Sequence, residues 1–210
     1  MKDVPDRPIK ALEREAEISL EIKRSRFVAR SFKRTTVEDA LAAVKDVQAA
    51  NRAADHNVWA FRVGLTGEQA RYSDDGEPGG TAGPPVLEIL KRSDVTQALV
   101  VVTRYFGGIK LGAGGLVRAY AGAAKSVLGA SGLKELRRMA TVEAVLPYAQ
   151  LAGLEKQASR EGFEILSREF AELVTVTVRV PSARVDEYRS FHTNLVGGKF
   201  ASHVLVEDYF

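Results

Sequence analysis

The sequence predicts an α+β protein with two domains. In the first part of the chain, the uninterrupted apolar run 98–102 is typical of a central strand that is buried on both faces. From Met139 a second pattern begins, and its strand–helix–strand–strand–helix–strand order is that of a ferredoxin-like βαββαβ domain. Residues 1–140 carry 23 Lys and Arg against 17 Asp and Glu, whereas residues 141–210 carry 7 against 10. We therefore predict domains at 1–135 and 136–210.

Hydrophobic periodicity and capping residues place the elements of the first domain. Ile18, Leu20 and Ile22 alternate with polar residues, and Thr36 is a suitable N-cap with Asp39 three positions later. Pro84 and Pro85 are suited to the first turn of the helix predicted at 84–91. The predicted elements are strands at 18–22 and 26–33, a helix from Thr36 to about Ala54, a strand at 58–63, a helix at 84–91, a strand at 98–102 and a helix at 114–128.

The second domain is predicted to have a sheet with one buried and one open face. Its clearest strand, 173–180, alternates four valines with Thr175, Thr177 and Arg179. A helix at 150–161 and a strand at 163–168 precede it, and Pro181 is expected to open the last helix, which ends at Gly197–Gly198. The polar stretch Leu133–Arg138 is predicted to link the two domains.

Composition excludes several classes of protein. A hydrophobic share of 45% in 210 residues is enough for a buried core, and the lack of cysteine excludes a disulfide scaffold, a thiolate metal site and a cysteine nucleophile. Met1–Glu21 alternates charges of both signs, so we expect no signal peptide or anchor there. No later stretch approaches the roughly 18 apolar residues of a membrane span. We expect a soluble cytoplasmic protein without a membrane partner.

A basic strip covers the second predicted strand. Residues 23–34 hold six cations and no acidic residue, and they include Lys23, Arg24 and Arg26. These side chains could form a solvated strand face or a strip that faces phosphates, because cations here alternate with apolar residues on a fixed sheet.

The first glycine loop, Ser73–Gly83, has five Gly or Pro positions between Gly76 and Gly83, so its backbone conformation is specified. Three carboxylates lie close together, as in a Mg²⁺ site. The alternative, which we favour, is that they cap turns and accept bonds from N–H groups, since the spacing is not that of an EF-hand. We predict no metal site. The motif residues are His56, Ser73, Asp74, Asp75, Gly76, Glu77 and Thr81.

The second glycine loop, Gly107–Gly115, follows a buried strand and opens a helix, where backbone N–H groups can hold a phosphate. No acidic residue occurs between Val95 and Leu133. Val117 breaks the GxGxxG pattern and no Walker motif is present, so we predict no cofactor. The loop is therefore an anion site or purely architectural. The candidate anion-binding residues are Lys23, Arg24, Arg26, Arg104, Lys110, Gly112, Gly114, Gly115 and Arg118.

His56 and Trp59 can each be interpreted as a functional or as a structural residue. His56 could act as a general base near the acidic loop, although a capping or packing role is the better prediction. Trp59 is predicted to be a core residue, not a platform for nucleic-acid bases. The open face of the second domain lacks the aromatic pair of an RNA-recognition sheet.

Three segments together resemble the IMPACT family, within it the bacterial two-domain branch of YigZ-like proteins. They are His56–Phe61, the run SDDGEPGGTAGPP from Ser73, and the run VVVTRYFGGIKLGAGGLVRAY from Val100. The resemblance covers nearly the whole chain and is weakest after Met139. It implies a first domain of the fold shared by a ribosomal protein domain, domain IV of elongation factor G and the GHMP kinases. It implies a second domain that resembles domain V of elongation factor G.

Three functional hypotheses follow. The first is a non-enzymatic factor that binds RNA or the ribosome and is linked to translation regulation, as eukaryotic relatives are through a protein partner. The second is an enzyme for a nucleotide or phosphorylated small molecule, with the phosphates on Gly112–Gly115, Mg²⁺ on the acidic loop, and His56 or Asp75 as base. The third is a protein-binding adaptor. We predict the first, and we leave enzymatic activity open with a preference against it.

Overall fold

The computed structural model describes residues 7–210; residues 1–6, part of the stretch for which no signal peptide is predicted, lie outside them. The described chain forms two compact units, Ile9–Glu135 and Leu136–Phe210. Each unit combines strands with helices, so the chain is an α+β protein. No helix within residues 7–210 has the length and apolar character that a membrane crossing requires.

The first unit contains a five-stranded antiparallel sheet with helices on both faces. Its strands follow the order β2-β3-β6-β4-β5, and a separate two-stranded sheet joins β1 to β7. The elements are β1 (Ile9–Leu12), β2 (Ala16–Ile22), β3 (Ser25–Lys33), α1 (Val37–Ala50), β4 (His56–Val63), β5 (Gln69–Ser73), α2 (Gly83–Arg92), β6 (Ala98–Tyr105), α3 (Ala113–Ser131) and β7 (Leu133–Leu136).

Strand β6 is central because both of its faces are apolar. Val100 and Val102 face the core shared with α2 and α3, whereas Leu99 and Val101 face the core shared with α1. This arrangement confirms the sequence prediction for 98–102. The second glycine loop therefore follows the carboxyl end of the central strand and leads into α3.

Three local predictions need correction. Helix α1 ends at Ala50, short of Ala54, because the Asn51 side chain donates to the Val47 carbonyl and closes the helix. The predicted link Leu133–Arg138 is instead mostly strand, since β7 pairs with β1. Strand β5 was not predicted, because its residues are almost entirely exposed and show no apolar alternation. The Thr36 cap is confirmed, and its hydroxyl accepts from the Asp39 N–H at 3.2 Å.

The second unit has the order βαββαβ and a four-stranded antiparallel sheet arranged β11-β8-β10-β9. The four valines of β10 are fully buried and its alternate residues are half-buried, as predicted. A short 3₁₀ turn, Ser182–Arg184, separates Pro181 from the last helix. The elements are β8 (Arg138–Leu146), α4 (Tyr148–Glu161), β9 (Glu164–Phe170), β10 (Val174–Pro181), α5 (Val185–Leu195) and β11 (Ser202–Tyr209).

Candidate functional site

The two glycine loops meet on one side of the first unit. A cavity of about 430 Å³ lies between them, with the start of β4 and the end of β6 as its floor. Sequence reasoning alone left open whether the loops are neighbours. The cavity is lined by Asp55, His56, Glu77, Pro78, Arg104, Phe106, Lys110, Leu111, Gly112, Ala113 and Leu116.

Asp74 organises the first glycine loop. Its Oδ1 accepts from the N–H groups of Ala82 and Gly83 at 3.0 and 2.8 Å, and its Oδ2 accepts from the Gly80 N–H at 2.9 Å. Because Ala82 and Gly83 lie at the start of α2, the carboxylate also neutralises the positive end of that helix. The Thr81 hydroxyl completes the turn by donating to the Pro78 carbonyl at 2.6 Å. Asp74 thus has the N–H-accepting role predicted for this loop.

Asp75 ties the loop to strand β4. Its Oδ2 accepts from the Asn57 N–H at 2.5 Å, and its own N–H donates to the Ser73 hydroxyl at 3.1 Å. Asp75 has φ +43° and Gly76 has φ +85°, so the chain turns through the left-handed region beside His56. The loop carboxylates therefore face different partners, and the described residues contain no cluster of three potential metal ligands.

Glu77 is at the centre of a buried polar network. Its side chain is only 2% exposed, and Oε1 accepts from Arg104 Nη1 and from the Tyr120 hydroxyl, both at 2.7 Å. Burial, followed by the hydrogen bond to Glu77, raises the pKa of Tyr120 far above its ordinary value. The network links the first glycine loop to β6 through Arg104 and to α3 through Tyr120.

Arg104 requires a correction to the predicted set of phosphate ligands. The residue is 6% exposed, its charge is balanced by Glu77, and its guanidinium lies between the rings of Phe27 and Phe106, 5.5 and 5.4 Å from their centroids. Nη2 lies 3.4 Å from the Ser25 hydroxyl oxygen. Because the cation is committed inside the protein, it is not an exposed phosphate contact.

His56 presents one ring nitrogen towards the cavity. Its Nδ1 lies 2.7 Å from the Asp75 carbonyl oxygen, which can only accept, so we assign the proton to Nδ1. In the neutral ring Nε2 is then an acceptor, and it lies 3.9 Å from Glu77 Oε2. His56 thus holds the Asp75 carbonyl through Nδ1, in line with the predicted capping role, and its Nε2 can still accept a hydrogen bond.

The second glycine loop leads into α3, and the uncapped start of that helix lines the cavity. Gly112, at φ +71°, precedes Ala113, and no side chain caps the helix. The first turn has no acidic residue, so its free N–H groups and the helix dipole favour an anion. Gly115 packs closely on Leu111, where a Cβ would lie 3.0 Å from that of the leucine, while Gly114 lies beside Arg118.

Five exposed cations lie in the β2–β3 turn, at the start of β3, in the second glycine loop and in α3, and we call them the basic surface. A Cβ on Gly107 would overlap the Arg24 carbonyl, so the β2–β3 turn and the loop touch through their backbones. Lys23 and Arg118 line one cleft of about 210 Å³. The members are Lys23, Arg24, Arg26, Lys110 and Arg118.

Two of the three other cations of the predicted basic strip are paired with carboxylates. Arg30 Nε lies 2.6 Å from Glu17, and Arg34 Nη1 lies 2.7 Å from Glu15. Among the residues described, no ion pair involves the basic surface, although Arg26 covers the Tyr105 ring at 4.4 Å. Lys33, the remaining cation of the strip, has no ion pair within the described chain, and its Nζ donates to the Glu13 carbonyl.

Three site residues were missed from the sequence. Tyr120 lies inside an alanine- and glycine-rich helix, where an isolated tyrosine is a usable signal for a buried hydroxyl. Ser25 accepts the Gly107 N–H at 3.2 Å. Phe106 is 44% exposed beside the cavity. No periodic pattern marks Ser25 or Phe106, since both act through contacts between distant segments.

Family models match both units. The model of the Impact N-terminal domain matches residues 23–128, and that of Domain of unknown function (DUF1949) matches residues 145–199. The chain belongs to the IMPACT family. The IMPACT match contains both glycine loops, the cavity and the whole basic surface.

Relatives in the IMPACT family share most of the chain's length. The chain is 36% identical over 189 residues to "IMPACT family member YigZ" of Escherichia coli, covering 88% of each protein. It is 33% identical over 183 residues to "IMPACT family member YvyE" of Bacillus subtilis, covering 87% of this chain and 84% of that protein. A solved structure described as "Crystal structure of an hypothetical protein" has 32% identity and a TM-score of 0.64, covering 96% of this chain and 98% of the other.

Proposed function

We propose that this IMPACT-family chain is a non-enzymatic RNA-binding factor that acts in the cytoplasm on RNA or the ribosome. The observation that carries the proposal is the basic surface, five exposed cations that form no ion pair within residues 7–210, together with the uncapped start of α3. Cations that lack a protein carboxylate can neutralise phosphates and release counterions. We also propose that the second unit resembles domain V of elongation factor G, with which its βαββαβ order is compatible.

The apolar side chains beside the basic surface suit a single strand. Phe106, Ile109 and Val117 are each about 40% exposed. Bases of an unpaired strand can stack on such groups while the cations follow the backbone. Because phosphate and stacking contacts read little sequence, we expect low sequence specificity.

The enzyme hypothesis requires carboxylates for Mg²⁺. In the first glycine loop, Asp74 is occupied by backbone N–H groups, Asp75 by Asn57, and Glu77 by Arg104 and Tyr120. Both oxygens of Asp74 would have to exchange these bonds for metal contacts. Asp75 and Glu77 each keep one oxygen without a hydrogen bond, but the described residues contain no group of three potential metal ligands. We therefore give RNA binding priority over metal-dependent phosphoryl transfer, and a protein-binding adaptor remains the third hypothesis.

The test is the affinity of the purified full chain for single-stranded RNA and for ribosomes across a salt series. Each phosphate neutralised contributes about −0.7 to the slope of log K against log salt. The double variant K23E/R118E reverses two charges of one cleft, so affinity at low salt should fall about tenfold or more and the slope should become shallower.

The matched control is K45E/K156E. Both lysines are exposed and have no ion pair among the described residues, and the net charge change is the same. We expect this control to retain most of the affinity. Equal losses in both variants, or an affinity that does not respond to salt, would contradict the assignment. Binding that resists RNase in a pull-down would instead support the adaptor hypothesis.

A further inference from the structure

The cavity between the two glycine loops is distinct from the cleft that Lys23 and Arg118 line. Its volume of about 430 Å³ falls within the roughly 300–1,000 Å³ that is usual for small-molecule sites. All of its lining residues belong to the first unit.

One end of the cavity suits a phosphate. Gly112 and Ala113 line it at the start of α3, whose N–H groups have no side-chain cap. Lys110, exposed and without an ion pair in the described chain, lines the same end. Backbone donors, the helix dipole and a lysine together make a site for an anionic group.

A second and independent observation points to a ligand. Glu77 is 2% exposed and lines the cavity, but only its Oε1 is hydrogen-bonded within the described chain. Its Oε2 has no hydrogen bond within the described chain, and His56 Nε2 lies 3.9 Å from it. A carboxylate oxygen and an imidazole nitrogen that have no protein donor at a cavity wall can each accept a hydrogen bond from a ligand.

Four further residues that line the cavity are apolar. Leu111 and Leu116 come from the second loop and α3, and Phe106 and Pro78 face the same space. A flat aromatic group can lie against such walls. The cavity therefore offers, in one place, donors for an anion, an apolar slot and acceptors for an amino group.

We propose that this cavity binds one nucleotide, with its phosphate at the start of α3 and an amino-bearing base directed at Glu77 Oε2 and His56 Nε2. The nucleotide comes either from solution or from an unpaired position of an RNA strand. Only the second source rests on the RNA-binding function proposed above.

The first experiment is calorimetric titration of the full chain with CMP and UMP, which differ in an amino group against a carbonyl oxygen. Two unused acceptors favour the amino group, so CMP should bind about tenfold more tightly than UMP. Cytidine and inorganic phosphate, each carrying half of the recognition, should both bind more weakly than CMP. Equal affinities for CMP and UMP, or no heat with millimolar CMP, would overturn the proposal.

The second experiment fills the cavity. Ala113 is exposed at the cavity wall, so A113L should occlude it and weaken CMP binding about tenfold or more. The control A130L makes the same change in the same helix, about 25 Å away at 1.5 Å per residue. Thermal melting followed by circular dichroism verifies that both variants are folded. Unchanged CMP affinity in folded A113L would exclude this cavity.

RNA affinity of A113L then identifies the source of the nucleotide. If CMP binding is lost while RNA affinity is unchanged, the ligand is a free nucleotide. If both fall, the strand inserts a nucleotide into the cavity. K23E/R118E should show the converse pattern, weakened RNA binding with CMP affinity within about threefold, so the two proposals fail separately.

Discussion

Arg104 and Glu77, which lie 27 positions apart, form a buried ion pair with 2.7 Å between Nη1 and Oε1. The pair joins the end of β6 to the first glycine loop, and Tyr120 adds α3 to it. Two segments that look independent in the sequence thereby become one cavity wall.

The ion pair predicts a large cost for removing one partner. Glu77→Gln should lower the free energy of unfolding by about 3–5 kcal/mol, since the Arg104 charge is left buried without compensation. Urea denaturation measures the change. The double variant E77Q/R104M removes both charges and should recover a substantial part of the loss; strict additivity of the two single effects would contradict a coupled pair.

Tyr120→Phe tests the hydroxyl of the network. Its loss should cost about 1.5–3 kcal/mol at neutral pH, because a hydrogen bond to a charged group is removed. The pKa of Tyr120 is raised in the folded state, so its contribution is present below the unfolded value of about 10 and is lost as pH rises beyond it. The stability difference between wild type and Y120F should therefore shrink above about pH 10. A difference independent of pH between 8 and 11 (the range to be scanned) would argue against a raised pKa.

Asp74 predicts the behaviour of the first glycine loop. Asp74→Ala removes three backbone hydrogen bonds and should cost about 1–2 kcal/mol, in line with the loss of a helix cap. Asp74→Asn retains one acceptor oxygen and should cost less. Hydrogen exchange should show faster amide exchange at Gly80, Ala82 and Gly83 in D74A; unchanged protection there would show that the loop holds its shape without Asp74.

Gly107 is predicted to be irreplaceable for the basic surface. A Cβ there overlaps the Arg24 carbonyl, which is backbone and cannot rotate away, so Gly107→Ala should displace the β2–β3 turn and weaken RNA binding. Gly122, in the middle of α3 with nothing close to it, is the control. Gly122→Ala should raise stability by about 0.5–1 kcal/mol and leave RNA binding unchanged. Tolerance of alanine at both positions would contradict the close approach.

Local pattern was sufficient for much of the fold and part of the site. The apolar run 98–102 predicts a strand buried on both faces, and Thr36 predicts the start of α1; both are confirmed. The glycine content of the two loops indicates a specified backbone. These predictions succeed because periodicity, capping and turn formation depend on residues a few positions apart.

Only the tertiary structure decided which predicted cations are exposed and which residues share a cavity. In the sequence, Arg104 cannot be distinguished from its basic neighbours, but in the fold it lies against Glu77 inside the protein. Lys23 and Arg118 are 95 positions apart in the sequence, yet they line one cleft. Burial, pairing and the approach of distant loops depend on long-range packing, which local residue order does not encode. The sequence by itself determined most of the elements and the family, whereas the charge that remains free for a ligand was determined by how those elements pack.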